Sequence, residues 1–166
     1  MDTRLAQYSP EDVIIAIAMM HTISGYVAGS FVSIEKATPT FTERETADGV
    51  VSRVLNPSKL YVLRLTLAQH AESNQVLSWI HNADRITGGR AKFPLTLKDK
   101  NGSSVLFAAE AWIRTVPNSS FSEGIESRVW EIVCAGAVNH VGSNYGDSSL
   151  LDDFVSLGGG LLGSIV

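Results

Sequence analysis

Glu43 and Glu45 are the first residues of this 166-residue chain whose types and spacing could do chemistry. Two positions apart on a strand, they share a face, and paired carboxylates can divide acid and base roles between them. No third group in the sequence supports such a role, and the pair reads as a solvated acidic strip. The four histidines, His21, His70, His81 and His140, are scattered. None stands three or four residues from another His or a Cys, so zinc finds no ligand set. His81 falls in a helical stretch and reads as a boundary or surface residue. Cys134, the one cysteine, alternates with Trp130 and Ile132 and reads as a buried structural thiol. Trp79, Trp112 and Trp130 could stack on a sugar ring, but each fits core-face periodicity better. Asp152-Asp153 beside Phe154 has no loop to hold a cation. Gly158-Gly159-Gly160 has no following Lys, and no Gly-x-Ser-x-Gly elbow occurs. The sequence therefore points to no catalytic, metal or cofactor site.

The elements that would position these residues are mostly strands. Residues 13–20 are apolar on both faces, as in a strand buried on both sides. Residues 22–27 and 30–37 follow, separated by Gly29. In residues 40–46, Phe41, Glu43 and Glu45 share one face and Thr40, Thr42, Arg44 and Thr46 the other. Asp48-Gly49 predicts a turn before residues 50–55. Residues 59–68 alternate most cleanly, with Tyr61, Leu63, Leu65 and Leu67 on the apolar face. The period then changes: Val76, Leu77, Trp79, Ile80 and Ala83 sit at helical spacing, with Ser73 as the expected N-cap and Gly88 as the stop. Strands return at 93–98 and 103–115, joined through Asn101-Gly102, and the last long strand spans 127–138. The expected architecture is mainly β, an antiparallel β-sandwich or rolled barrel with one flanking α-helix.

Composition sets outer limits. The chain is 45% hydrophobic and 18% charged, enough to build an ordinary core and unlike a disordered chain. Thirteen basic and 17 acidic residues give a net charge of −4, split evenly between the halves. With no basic half or tail, tight nucleic-acid binding is not expected. The longest apolar run has eight residues, too short to cross a bilayer as a helix, and Glu11-Asp12 before it are unlike a secretion signal. Asn101-Gly102-Ser103 and Asn118-Ser119-Ser120 match a glycosylation sequon and read as turns. Residues 1–141 read as one β domain. Residues 142–166 read as an extended arm with apolar anchors and no basic group.

Several segments in order carry a resemblance. They are residues 8–13 (Tyr-Ser-Pro-Glu-Asp-Val), 23–35 (Ile-Ser-Gly-Tyr-Val-Ala-Gly-Ser-Phe-Val-Ser-Ile-Glu), 39–42 (Pro-Thr-Phe-Thr) and 47–54 (Ala-Asp-Gly-Val-Val-Ser-Arg-Val). Ser73-Asn74-Gln75-Val76-Leu77, residues 107–113 (Phe-Ala-Ala-Glu-Ala-Trp-Ile) and Phe121 through Arg128-Val129-Trp130 complete the set. Over roughly residues 8–142 the chain resembles a family of bacteriophage structural proteins similar to the tail tube proteins of contractile-tailed phages. The resemblance implies a tail-tube-like fold and hexameric rings stacked into a hollow tube inside a contractile sheath. The implied partners are further copies of the chain, the tail sheath protein, and baseplate and tail terminator proteins. DNA would pass through the lumen without specific binding. The implied location is the virion tail, after synthesis in the host cytoplasm, with no cofactor and no membrane.

On that basis Glu35, Glu43, Glu45 and Asp48 are expected to face the lumen, where acidic groups would keep DNA from sticking. Arg44, Arg53 and Arg64 argue against a purely acidic wall and are expected to pair across strands or subunits. Contacts between rings are expected from residues 48–58, with Gly49, Arg53 and Asn56 as candidates, and from the arm through Leu150, Phe154 and Leu157. The arm is expected to dock on a neighbour or on the sheath. Other readings are the tube of a phage-derived contractile injection system, a monomeric carbohydrate-binding β-sandwich with exposed tryptophans, and an enzyme using Glu43 and Glu45.

Overall fold

A computed structural model describes residues 9–143, Met19 excepted. A 3-10 turn at Pro10–Asp12 leads into β1 (Val13–Ile17) and β2 (His21–Thr22). Then come β3 (Val32–Lys36), β4 (Phe41–Glu45), β5 (Val51–Leu55) and β6 (Tyr61–Ala68). Helix α1 (Ser73–Ile86) precedes β7 (Phe93–Asp99), β8 (Val105–Thr115), β9 (Ser127–Ala135) and β10 (Val138–His140). Every strand pair among the described residues is antiparallel. The main sheet runs β2-β1-β7-β8-β9-β6-β3, with β10 also on β8, and β4–β5 stands apart as a two-stranded sheet.

One hydrophobic cluster gathers Ile15 and Ile17 from β1, Leu95 and Leu97 from β7 and Leu106 from β8. Trp130 and Ile132 of β9 and Leu63, Leu65 and Leu67 of β6 complete its centre. Strands near opposite ends of a sheet can share one core only when the sheet curls over itself. The architecture is therefore the rolled, mainly β fold expected, with α1 packed against β8.

Local chemistry sets where strands stop. The apolar run at 13–20 does not stay a strand throughout: β1 ends at Ile17, and Ala18 turns the chain with φ 52°. Of the expected strand at 22–27, β2 and a bridge from Tyr26 to Leu67 are formed. Gly25 intervenes with φ 83°, and a Cβ there would lie 2.3 Å from that of Ala71. In β8 the buried set changes from Leu106 and Ala108 to Ala111 and Ile113, a shift of one position. Its pairing with β7 slips at the same place, between Leu95↔Ala108 and Phe93↔Ala111, so a bulge resets which face looks inward. The expected strand at 127–138 breaks at Gly136, whose φ is 59°. Beyond it β10 resumes along β8 in the register β9 had, Glu110↔Ala135 being followed by Phe107↔Val138.

The helix spans the expected residues, but its start differs. Glu72 occupies the N-cap position and Ser73 is the first helical residue, fully buried. The Ser73 hydroxyl is committed elsewhere: it accepts the Ser24 N–H at 2.9 Å and lies 3.0 Å from His21 Nε2. At the other end Gly88, with φ 68°, stops the helix as expected. The N–H groups of Gly88 and Gly89 return to the carbonyls of Arg85 and Asp84, the pairing that satisfies a helix's last acceptors.

Candidate assembly interface

The β4–β5 hairpin is built by residues 40–56. Thr46 and Val50 close it, the Thr46 N–H donating to the Val50 carbonyl at 3.0 Å, and Gly49, with φ 78°, completes a three-residue tip with Ala47 and Asp48. At its base the Asn56 N–H donates to the Thr40 carbonyl at 2.7 Å, and Asn56 Oδ1 accepts the Ser58 N–H at 3.1 Å. Register places Phe41, Glu43, Glu45, Val51, Arg53 and Leu55 on one face and Thr42, Arg44, Ser52 and Val54 on the other.

Every residue of both strands is exposed, including the large apolar side chains Phe41, Val51, Val54 and Leu55, with Val50 beside them. Apolar groups thus face water on both sides of a ribbon that joins no other strand among the described residues. Glu43 lies opposite Arg53, whose guanidinium carbon sits 4.3 Å from the centre of the Phe41 ring. The two carboxylates share a face, as expected, in an open ribbon rather than a cleft.

The hairpin brings together Glu43, Glu45, Arg53, Asp48 and Gly49, with Asn56 at the far end from the tip. Glu35 belongs elsewhere. It lies on β3, where its Oε2 accepts from Arg64 at 2.8 Å. Arg64 stands opposite Glu131 of β9, which accepts from Arg114 of β8 at 2.9 Å. Four groups of alternating sign therefore cross β3, β6, β9 and β8. Arg64 pairs across strands, one of the two outcomes expected for it. Leu150, Phe154 and Leu157 lie outside the described residues.

The tryptophans divide. Trp130 is buried and donates its indole N–H to Asn74 Oδ1 at 2.9 Å. Trp112 is half-buried, but Trp79 is 79% exposed, against the expectation of core packing. The reason is rotational: Leu77 takes the inward position, and two residues on, Trp79 has turned about 200° away. A second surface also escaped the sequence reading. Val116, Phe121 and Ile125 are exposed on the segment between β8 and β9. Buried Arg128 holds that segment by donating to the carbonyls of Asn118 and Ser120 at 3.0 and 3.1 Å, with Phe121 against its guanidinium. The hairpin itself was open to detection, because residues 40–46 hold one apolar side chain and cannot face a core.

Three solved structures share the fold. The anti-feeding prophage tube-terminating cap aligns with a TM-score of 0.54 and 14% identity, over 84% of this chain and 96% of its own. The sheath/tube terminator of the PVC extracellular contractile injection system, in its extended state, gives 0.52 and 12%, over 81% and 97%. The extended sheath–tube complex of the PVC system gives 0.54 and 13%, over 81% and 92%. No family model matches the sequence. Structural protein ORF10 of Pseudomonas phage KPP10 is 33% identical over 165 residues, covering 95% of each chain. The fold is thus shared with tube and terminator proteins, and the 33% identity over 95% of each chain places this chain in the family of bacteriophage structural proteins to which ORF10 belongs.

Proposed function

We propose that this protein is the tube subunit of a contractile phage tail, closing into hexameric rings that stack around a DNA-conducting lumen. The observation that carries the reading is the β4–β5 hairpin. An isolated two-stranded ribbon is marginally stable, and its unpaired edges invite pairing with another chain. A ring of identical subunits gives those edges partners and closes the assembly on itself. Glu35, Glu43, Glu45 and Asp48 would then face the lumen, with Gly49, Arg53 and Asn56 at the contact between rings. The sheath would surround the tube, with a baseplate at one end and a terminator at the other. Residues 142–166 would form an arm separate from the β domain of residues 1–141.

A second reading is the terminator itself, because two of the three solved structures are a tube terminator and a terminating cap. A tube subunit occupies rings along the whole tail and a terminator only its end. Antibody labelling of virions with contracted sheaths, which leave part of the tube bare, with negative-stain microscopy of the purified protein, tests both. Label along contracted tails and hollow tubes or six-fold rings in vitro are expected. Label confined to one tail end would replace the tube reading with the terminator. Persistent monomers and unlabelled tails would remove both. The injection-system alternative shares this assembly and differs in cargo. The carbohydrate-binding alternative has exposed Trp79, but Trp130 is buried and offers no second stacking ring.

A further inference from the structure

Arg128 is a buried charge that finds no carboxylate partner among the described residues. It points inward from β9, on the same face as Trp130. A guanidinium has five N–H donors, and Arg128 spends two of them on the carbonyls of Asn118 and Ser120. Phe121 covers one side, its ring centre 5.5 Å from the guanidinium carbon. Carbonyls and a ring offset part of the cost of burial, but they supply no negative charge, and three donors stay uncommitted.

Arg128 lines a cavity of about 280 Å³. Gln69, Ser78 and Ser119 form its polar wall, and Pro117, Phe121 and Trp130 its apolar one. Asn74 also reaches the wall but is committed: its Oδ1 accepts the Trp130 indole N–H, and its Nδ2 donates to the carbonyls of Ala68 and Gln69. Gln69 turns its side-chain oxygen to the Glu126 N–H at 3.2 Å, which leaves the Nε2 donors of that amide uncommitted among the described residues. The Ser78 and Ser119 hydroxyls have no partner among those residues either. The lining thus holds a full positive charge, several neutral donors and no carboxylate.

We propose that this cavity binds a small carboxylate carried on a flat apolar body, the carboxylate meeting Arg128 and the body lying along Pro117, Phe121 and Trp130. The uncommitted N–H groups of a planar guanidinium suit the two oxygens of a carboxylate, and charge-assisted bonds of this kind are the strong ones. Inorganic phosphate would meet the charge but leave the aromatic and proline surfaces uncovered. The volume lies just below the usual range for ligand sites, about 300–1,000 Å³, so the body is no larger than a single ring.

Isothermal titration calorimetry of the unassembled full chain tests the site, with benzoate, benzamide and inorganic phosphate as probes. Benzoate should bind saturably at one site per chain. Benzamide keeps the ring and loses the charge, phosphate keeps the charge and loses the ring, and each should bind at least about tenfold more weakly. Gln69→Glu keeps an oxygen for the Glu126 N–H and adds a carboxylate to the lining, so like-charge repulsion should weaken benzoate at least about tenfold. No saturable binding of benzoate, equal affinity for benzamide or phosphate, or undiminished affinity in Gln69→Glu would overturn the proposal. The three probes act on the unaltered chain, so the test does not hang on a variant that folds. It concerns the subunit before assembly, and its failure would leave the tube reading untouched.

Discussion

Replacing Val50 and Val54 together by Ser should separate folding from assembly. The two side chains share the hairpin face opposite Glu43 and Glu45 and are 60% and 53% exposed in the subunit. Full burial of such a side chain contributes about 1.5–3 kcal/mol, so covering the exposed fraction contributes about 1–2 kcal/mol each. The pair is then worth about 2–4 kcal/mol at each assembly contact, or roughly 30- to 1000-fold in the association constant. In the isolated subunit neither side chain touches the core, and surface changes of this kind stay within about 0.5 kcal/mol. Chemical denaturation of the monomer should therefore be unchanged, while the concentration needed for rings or tubes, read by sedimentation and negative-stain microscopy, rises by that factor. Unchanged assembly would refute the role of the hairpin. Loss of more than about 1 kcal/mol in the monomer would refute the claim that the ribbon stands free.

Three further outcomes follow from the fold. Gly25→Ala should destabilise the subunit by about 2 kcal/mol or more in urea melts, because the new Cβ meets that of Ala71 at 2.3 Å in a backbone with φ 83°. Asn74→Ala should cost about 1–3 kcal/mol and shift the Trp130 fluorescence, because it strips the buried indole N–H of its acceptor and the Ala68 carbonyl of a donor. Burial pushes the Cys134 thiol from 9.0 up to about 12 and the Tyr26 phenol from 10.0 up to about 12. The unfolded chain therefore loses these protons first. Stability should be intact below about pH 9 and decline from there towards pH 12, and Cys134→Ala should flatten the early part of that decline in melts taken across the range.

Legibility in the sequence followed the strength of each periodic signal. Residues 59–68 alternate without interruption, and β6 appears there with Leu63, Leu65 and Leu67 fully buried. Asp48-Gly49 and Gly88 marked turns because each needs a positive φ that other residues resist. Trp79 went astray because five apolar residues at helical spacing look like one stripe when they are two. Ser73 looked like a cap because its type suits one, whereas tertiary contacts with His21 and Ser24 claim its hydroxyl. The break at Gly136 falls between two stretches of strand-like sequence, and the neighbours of β8 on both sides of the break set where pairing resumes. Alternation showed that Glu43 and Glu45 share a face. It could not show whether that face meets a cleft, a lumen or open water, since an all-polar face fits each.

Strand β8 has hydrogen-bonded neighbours on both edges over most of its length: β7 along Val105 to Ala111 on one edge, and on the other β10 and then β9, which keep one register from Val105 to Ile113. The rungs of an antiparallel ladder lie across the strands, so a pull along β8 loads them side by side rather than one after another. Extracting the strand lengthwise requires many rungs to fail in one event, whereas peeling it away from an edge would open them singly. The subunit is therefore mechanically directional, with greater resistance to lengthwise sliding of β8 than to lifting of the two-residue β2 from the end of the sheet.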